Sequence, residues 1–347
     1  MSHDSAASAS AVHVPLSILD LVPVSQGMSM RDAIAASMAG AQAADRLGFH
    51  RYWFAEHHGT ANLASSSTAL LIDRAASMTE RIRVGSGGIM LPNHSPLRVA
   101  EDFGTLIQFH GDRIDLGLGR APGTDPITAQ FLARTSAEPS AFMNAVEQMQ
   151  LWSADAPPQG LRVSADVATG TNIPMRVLGS TTNGAMLAAQ LGLPFAVASH
   201  FAPFQHLEAL ETYRHQFDAT ADTAQIREPR TMVGVNLVVA ETDEQAQREF
   251  TTLKAMFASV VTGQRRPILA PDEAARVWSD LDITIRSRVE QTLRVSAVGS
   301  PATAAAQLEK IVAETRADEL ICTAYHHDPA ARIRALELIA EAWGLAG

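Results

Sequence analysis

Arg51-Tyr-Trp-Phe-Ala-Glu-His-His-Gly59 is a short apolar strand that runs directly into one acidic residue and two histidines. Side chains alternate along a strand, so His57 and His58 should point in opposite directions, one toward a pocket and the other into its wall. The stretch therefore predicts one catalytic histidine and not a matched pair. A hydrogen-bonded histidine pair that only closes the strand end is the alternative, and the rest of the chain weighs against it.

Strand-like and helix-like segments alternate on both sides of this stretch, a pattern typical of βαβ units around a parallel sheet. The predicted strands cover residues 16–21, 51–55, 82–90, 113–118, 175–178, 195–198, 232–240 and 319–323. The predicted helices cover residues 30–47, 66–78, 96–109, 141–152, 183–191, 203–217, 243–257, 302–315 and 329–343. Eight strands separated by helices predict an α/β fold of the (β/α)₈ TIM-barrel type.

The pattern places a single domain over residues 14–347, preceded by a loose tail. Residues 1–13 are small and polar, with little to bury. Two segments, 159–173 and 260–300, are longer than ordinary connections. The second follows the seventh strand and contains Arg265-Arg-Pro-Ile-Leu-Ala-Pro271. We expect an insertion there that either folds over the barrel mouth as a lid or packs poorly.

Composition narrows the class of partner. The 347-residue chain has a formal charge of −10, and only Lys254 and Lys310 among its 27 basic residues are lysines, so no basic stripe for nucleic acid or anionic membrane is present. The single cysteine, Cys322, rules out an intrachain disulfide and favours a reducing compartment. The sequence has no apolar run of about 18 residues and no signal-peptide pattern. We expect a cytoplasmic protein that acts on a small molecule.

The active site of such a barrel lies at the carboxyl ends of its strands. The third strand ends in Val84-Gly-Ser-Gly-Gly-Ile-Met-Leu-Pro92. Glycine permits close approach to the backbone, so Gly87 and Gly88 can let a flat ring lie there, or they can form a bulge that relieves barrel strain. His200, which follows the sixth strand, is a candidate for the barrel mouth.

Two neighbouring strand ends suggest an anion site. Arg120 follows the fourth strand in a glycine-rich corner, where its guanidinium can hold a phosphate, although a salt bridge would also explain it. The fifth strand ends in Val177-Leu-Gly-Ser-Thr-Thr-Asn-Gly184 and becomes a helix. A helix N-terminus favours a phosphate. Ser180 or Thr182 as a plain N-cap is the alternative, and it is compatible with phosphate binding.

Two other kinds of site find no support in the sequence. The Gly117-to-Gly123 turn does not match G-x-G-x-x-G, which argues against a dinucleotide fold. The sequence contains no H-x-H pair, which argues against a metal-dependent barrel hydrolase and predicts no metal.

Five motifs in order resemble the luciferase-like flavin monooxygenase family, that of bacterial luciferase, over residues 16–345. The N-terminal half is most similar to the subgroup called luciferase family oxidoreductase group 1. The motifs are Trp53-Phe-Ala-Glu-His-His58, residues 84–102, Leu116-Gly-Leu-Gly-Arg120, Val177-Leu-Gly-Ser-Thr-Thr182 and Val298-Gly-Ser-Pro301.

The resemblance assigns roles to individual residues. His57 matches the family's catalytic histidine beside the flavin, and Arg120 matches the arginine that holds the flavin phosphate. Gly87-Gly88 falls where the family has a non-prolyl cis peptide under the flavin ring. Gly179, Ser180 and Asn183 match the family's other phosphate-contacting positions, and Thr181 and Thr182 are their neighbours. Glu56 and His58 would set the tautomer and orientation of His57.

The activity implied is that of a monooxygenase that receives reduced FMN from a separate NAD(P)H-dependent flavin reductase. It would react the flavin with O₂ and oxygenate a small organic substrate through a flavin hydroperoxide. A homodimer that pairs through helices near the second and third strands is also implied. Gly119 stands where luciferase has a cysteine, and the 260–300 segment has no lysine, so light emission and lysine-dependent lid chemistry are not expected. A deazaflavin- or NAD(P)H-dependent oxidoreductase and a non-catalytic flavin-binding protein remain alternatives.

Overall fold

The computed structural model describes residues 13–121, 123–132, 136–158 and 160–345. Its strands are β1 (Leu16–Asp20), β2 (Arg51–Phe54), β3 (Arg83–Met90), β4 (Ile114–Gly119), β5 (Met175–Gly179), β6 (Phe195–Val197), β7 (Thr231–Val239), β8 (Ser296–Gly299) and β9 (Glu319–Thr323). Its α-helices are α1 (Met30–Arg46), α2 (Thr68–Ser77), α3 (Pro96–His110), α4 (Pro126–Phe131), α5 (Pro139–Ser153), α6 (Thr182–Gln190), α7 (His206–Gln216), α8 (Asp243–Val261), α9 (Pro271–Asp280), α10 (Ile283–Thr292), α11 (Pro301–Thr315) and α12 (Pro329–Trp343). Short 3₁₀ helices cover Leu91–Asn93, Gly111–Arg113 and Pro203–Gln205.

The eight strands predicted from the sequence, β1 to β7 and β9, form a closed parallel barrel. β6 pairs with β7, β7 with β9 and β9 with β1, which closes the ring. The predicted (β/α)₈ fold is confirmed. The ninth strand, β8, was not predicted, and it pairs outside the barrel with residues 236–239 at the end of β7.

The barrel strands are apolar over most of their length because the core covers one face and helices cover the other. Every residue of β1, β7 and β9 is buried, which leaves few positions where a polar side chain is tolerated. Many helices begin at a proline in the first turn, where the missing N–H has no intrahelical acceptor. These prolines mark where each strand-to-helix loop ends.

An ionic network closes the amino-terminal end of the barrel. Arg51 lies 2.6 Å from Asp115 and 3.0 Å from Glu319, and Arg83 lies 2.7 Å from Asp115. The indole nitrogen of Trp53 also donates to Asp115, at 3.1 Å. With this end filled by paired charges, the open space of the barrel lies toward the carboxyl ends of the strands.

The segment of residues 260–300 is folded and does not pack poorly. It contains α9, α10 and β8. Ile268 donates its N–H to Val24 at 2.9 Å, and its carbonyl accepts the N–H of Gln26 at 2.8 Å, so this part of the segment is fastened to the loop after β1. Val289 and Leu293 pack with Ile268 in one buried cluster. The stretch 262–266, which precedes Ile268, is largely exposed.

Residues 1–12 of the predicted tail lie outside the described residues. His13 is the first described residue, and its ring stacks on Trp343 at 4.0 Å between centroids. The helices of the described chain include none that is both long and apolar enough to cross a membrane.

Candidate active site

A cavity of about 650 Å³ opens at the carboxyl ends of the barrel strands. Its walls are mainly apolar side chains, such as Leu19, Ala55, Met232, Ile321 and Tyr325. The ionisable groups on these walls are Tyr325 and four basic residues, namely His57, Arg120, His200 and Arg265. Among the described residues, no aspartate or glutamate lines this cavity.

The two adjacent histidines point to different places. His57 lines the cavity, whereas His58 does not. The Nε2 atom of His58 lies 2.9 Å from Glu56 Oε1, and the hydroxyl of Thr124 donates to the carbonyl of His58 at 2.8 Å. One cavity residue and one wall residue result, as the sequence predicts, although β2 ends at Phe54 and both histidines lie in the loop that follows it.

Glu56 holds the wall together and does not orient His57 through a hydrogen bond. Its carboxylate is 1% exposed and accepts hydrogen bonds from His58 and His94, both at 2.9 Å, and from the N–H of Met90 at 3.0 Å. Burial disfavours its charge, but the hydrogen bonds from the two histidines outweigh burial and lower the pKa of Glu56 to about 2. The expectation that Glu56 and His58 set the tautomer of His57 is corrected accordingly.

His94 is the residue that sequence reasoning did not place in this network. It follows the 3₁₀ helix after β3, and the hydrogen bond to Glu56 raises its pKa despite partial burial. Its position inside the motif of residues 84–102 is the feature of the sequence that could have identified it.

His57 carries a neutral imidazole at neutral pH. Burial, followed by the positive charge of Arg265, lowers its pKa to about 4. Its Nδ1 atom is buried, and no described residue makes a hydrogen bond to it. Within the described part of the chain the ring makes no hydrogen bond, and its other nitrogen, Nε2, is the atom that a ligand in the cavity can engage.

His200 joins His57 in the cavity wall, as expected for a residue of the barrel mouth. Burial first, and then the nearby His57, lower the pKa of His200 to about 4, and its Nδ1 is likewise without a hydrogen-bond partner among the described residues. The ring packs on Gly234 of β7, and Asn236 donates to the backbone carbonyl of His200 at 2.8 Å.

The Gly87-Gly88 pair within β3 has a cis peptide bond, as the resemblance implies. A Cβ atom on Gly87 would lie 2.5 Å from Leu19 Cδ1 and 3.2 Å from Trp53 Cε3, so glycine at this position lets these two side chains pack directly against β3. Gly88 differs from this expectation because it does not line the cavity. A Cβ there would lie 2.7 Å from the carbonyl oxygen of Gly117.

Arg120 has no carboxylate partner among the described residues. Its Nη1 donates only a long 3.4 Å hydrogen bond to the carbonyl of Ala137 within that part of the chain. The salt bridge that would have explained Arg120 is absent there, and its guanidinium remains available at the cavity wall.

The β5-to-α6 turn presents backbone N–H groups beside Arg120. Thr181 is the N-cap of α6, and its side chain makes no capping hydrogen bond, so the first N–H groups of the helix are available to a ligand. Gly179, Ser180 and Thr181 line the cavity. Asn183 does not line it and is exposed; Gly184 lies there instead.

The described residues contain no group of three or more His, Cys, Asp or Glu side chains that could hold a metal ion. The site is thus a largely apolar cavity with cationic and neutral nitrogen donors on its walls.

The family model described as luciferase-like monooxygenase matches residues 15–319 of the chain. The chain belongs to this family. It is 39% identical over 327 residues to a luciferase-like monooxygenase of Escherichia coli strain K12, which covers 94% of this chain and 96% of the relative. The crystal structure of apo-MsnO8 superposes with a TM-score of 0.88 at 34% identity, covering 96% of this chain and 98% of that one.

More distant structures share the fold and hold different cofactors. The oxygenating constituent of 3,6-diketocamphane monooxygenase from Pseudomonas putida, in complex with FMN, has a TM-score of 0.68 at 20% identity and covers 94% of this chain and 97% of that one. A secondary alcohol dehydrogenase that depends on F420 has a TM-score of 0.65 at 14% identity with the same coverage. Membership of the luciferase-like monooxygenase family makes the protein an oxidoreductase, and these two structures of the same fold hold FMN and F420 respectively.

Proposed function

We propose that the protein is a flavin-dependent monooxygenase that takes up reduced FMN and uses O₂ to oxygenate a small organic substrate. The observation that carries the proposal is that Arg120 and the N-terminal turn of α6, whose N-cap Thr181 makes no side-chain capping hydrogen bond, line the same largely apolar cavity. His57, without a hydrogen-bond partner among the described residues, lies on the wall of the same cavity.

The residues present fit FMN. The flavin phosphate needs fixed N–H donors and a cation, which the turn at Ser180 and Thr181 and the guanidinium of Arg120 supply. The isoalloxazine ring needs a wall that it can approach closely, and Gly87 lines the cavity with no side chain of its own. The volume of about 650 Å³ lies within the usual range for cofactor and ligand pockets.

When bound, reduced FMN supplies the activation of O₂. Arg120 and the α6 N-terminus would hold the phosphate and thereby fix the depth of the ring in the barrel. Leu19, Met232 and Ile321 would exclude water from the reacting region. His57, neutral at working pH, would accept or donate a proton at Nε2 next to the substrate.

Titration with oxidised FMN, reduced FMN and deazaflavin, with O₂ consumption followed in parallel, tests the proposal. Arg120→Ala should weaken FMN binding by about ten- to a hundredfold, because a charge-assisted phosphate contact contributes about 1.5–3 kcal/mol. Arg74→Ala, which removes an exposed arginine of α2, is the matched control and should bind FMN normally.

Unchanged FMN affinity in Arg120→Ala would refute the phosphate site. Hydride transfer without O₂ consumption, with the deazaflavin preferred, would favour the alternative oxidoreductase activity.

The proposed activity also needs a source of reduced flavin, for which we propose a separate NAD(P)H-dependent flavin reductase in the cytoplasm.

We further propose a homodimer. Leu70 of α2 and Phe109 of α3 are 72% and 71% exposed, on the two helices where the pairing is expected. Sedimentation at micromolar concentration should give twice the chain mass, and a monomer would refute the dimer.

A further inference from the structure

We propose that the substrate is an organic anion with an apolar body, and that Arg265 at the cavity mouth binds its anionic group. This inference rests on the proposed function for the reaction but has its own evidence in the charge of the cavity. Carboxylates and sulfonates are the chemical class it defines.

The first step is the imbalance of charge around the cavity. The chain has a formal charge of −10, yet the described residues that line the cavity include two arginines and no aspartate or glutamate. Arg120 is assigned to the cofactor phosphate. Arg265 is a second cation on the cavity wall, and the proposed FMN phosphate site does not include it.

The second step is the absence of a protein partner for Arg265. Within the described chain, no carboxylate lies within salt-bridge distance of Arg265, and no hydrogen bond of its side chain is seen. Its neighbours in the exposed stretch 262–266 supply no acidic side chain. A guanidinium at a cavity mouth, unpaired by protein groups, is suited to bidentate recognition of a carboxylate or sulfonate.

The third step is the position of Arg265 relative to the reacting region. Its positive charge reaches His57 strongly enough to be the second cause of that residue's lowered pKa. Arg265 and His57 line the same cavity, so an anion bound to Arg265 would leave the rest of the substrate in the cavity that His57 lines. The fastening of Ile268 to the β1 loop limits how far the arginine can move from the mouth.

The fourth step is the apolar wall beside Arg265. Met256, Phe257 and Val260 of α8 line the cavity immediately before the stretch that carries the arginine. Phe201 packs against Phe257 at 6.2 Å between ring centroids and is 54% exposed, so an aromatic surface continues from the cavity to solvent. The mouth thus offers one cation and an apolar surface, which together match an amphipathic anion.

The test uses octanoate and phenylacetate as probes, with octanamide and phenylacetamide as neutral counterparts of similar shape. Binding to the full-length protein loaded with FMN is measured by calorimetry. Arg265→Gln should weaken binding of both carboxylates by about tenfold or more and change binding of the amides by less than about twofold. Arg266→Gln, which alters the adjacent arginine outside the cavity lining, is the matched control.

Equal binding of acids and amides by the wild type, or equal acid binding by Arg265→Gln and the wild type, overturns the proposal. A tenfold loss of FMN affinity in Arg265→Gln with carboxylate binding intact also overturns it, because Arg265 would then bind the cofactor. If FMN does not bind the wild type, the proposed function fails, and the same titrations on the cofactor-free protein still decide the role of Arg265.

Discussion

The ring of His200 lies against Gly234 on the neighbouring strand β7, where a Cβ atom at position 234 would collide with Nδ1 of the imidazole. A Cβ there would also lie 3.2 Å from the carbonyl oxygen of Val197. The histidine ring makes the closest of these contacts, so glycine at position 234 is required mainly to make room for His200, and β7 itself has an ordinary parallel register at this point.

This contact predicts a strong coupling between the two positions. Gly234→Ala should destabilise the protein by about 1–3 kcal/mol through overpacking in a buried site. In the double variant with His200→Ala, the cost of the added methyl group should largely disappear, because its collision partner is gone. Urea unfolding of the wild type, both single variants and the double variant measures the coupling. Strictly additive free energies would show that the ring moves aside at no cost.

The neutral histidines of the barrel predict loss of stability in acid. The pKa values of His57, His200 and His326 are each lowered to about 4, mainly by burial. Between about pH 6.5 and pH 4 the unfolded chain binds protons that the folded chain does not, so stability falls as the pH falls through this window. Each such histidine contributes up to about 2 kcal/mol between pH 8 and pH 5. His94, with a raised pKa, acts in the opposite direction.

Urea midpoints at pH 8 and pH 5 test this dependence. His200→Gln removes one titrating group and should reduce the difference between the two midpoints, whatever its effect at pH 8. The same pH dependence in the variant and the wild type would mean that His200 does not titrate in this window.

The sequence predicted the barrel because its strands are covered on both faces and thus read as short apolar runs between helices. It missed β8, since Ser296–Gly299 is only four residues long and pairs with the end of β7, outside the barrel. It found His57 and Arg120 from their places after strands. It could not predict that Glu56 accepts a hydrogen bond from His94, nor that Gly184 rather than Asn183 lines the cavity. Both contacts depend on how a loop and a helix are oriented in three dimensions.

The split between His57 and His58 predicts different consequences for the two alanine variants. His57→Ala should keep the fold and flavin binding but lose about 10²- to 10⁴-fold in turnover, because the ring is proposed to transfer a proton. His58→Ala removes one of two histidine partners of the buried Glu56 carboxylate and should lower stability first. Turnover with a flavin reductase system, together with thermal unfolding, separates the effects. Normal turnover by His57→Ala would transfer the proposed role to His200.

The exposed stretch 262–266 predicts how ligands protect the cavity mouth from proteolysis. Arg265 is a trypsin site because Arg266 follows it, whereas the bond after Arg266 precedes Pro267 and resists trypsin. Gly263, two residues before Arg265, has a positive φ of 71° and no atom within 4 Å of an added Cβ. Beyond them, Ile268 is held by two backbone hydrogen bonds. We therefore expect trypsin to cut the free protein in this stretch and to leave α9 and α10 intact, because those helices pack against α8.

FMN with octanoate should slow the cut if the stretch closes over the ligands as a lid. Mass spectrometry of timed digests identifies the bond cut, and equal cutting rates with and without both ligands would show that residues 262–266 do not act as a lid.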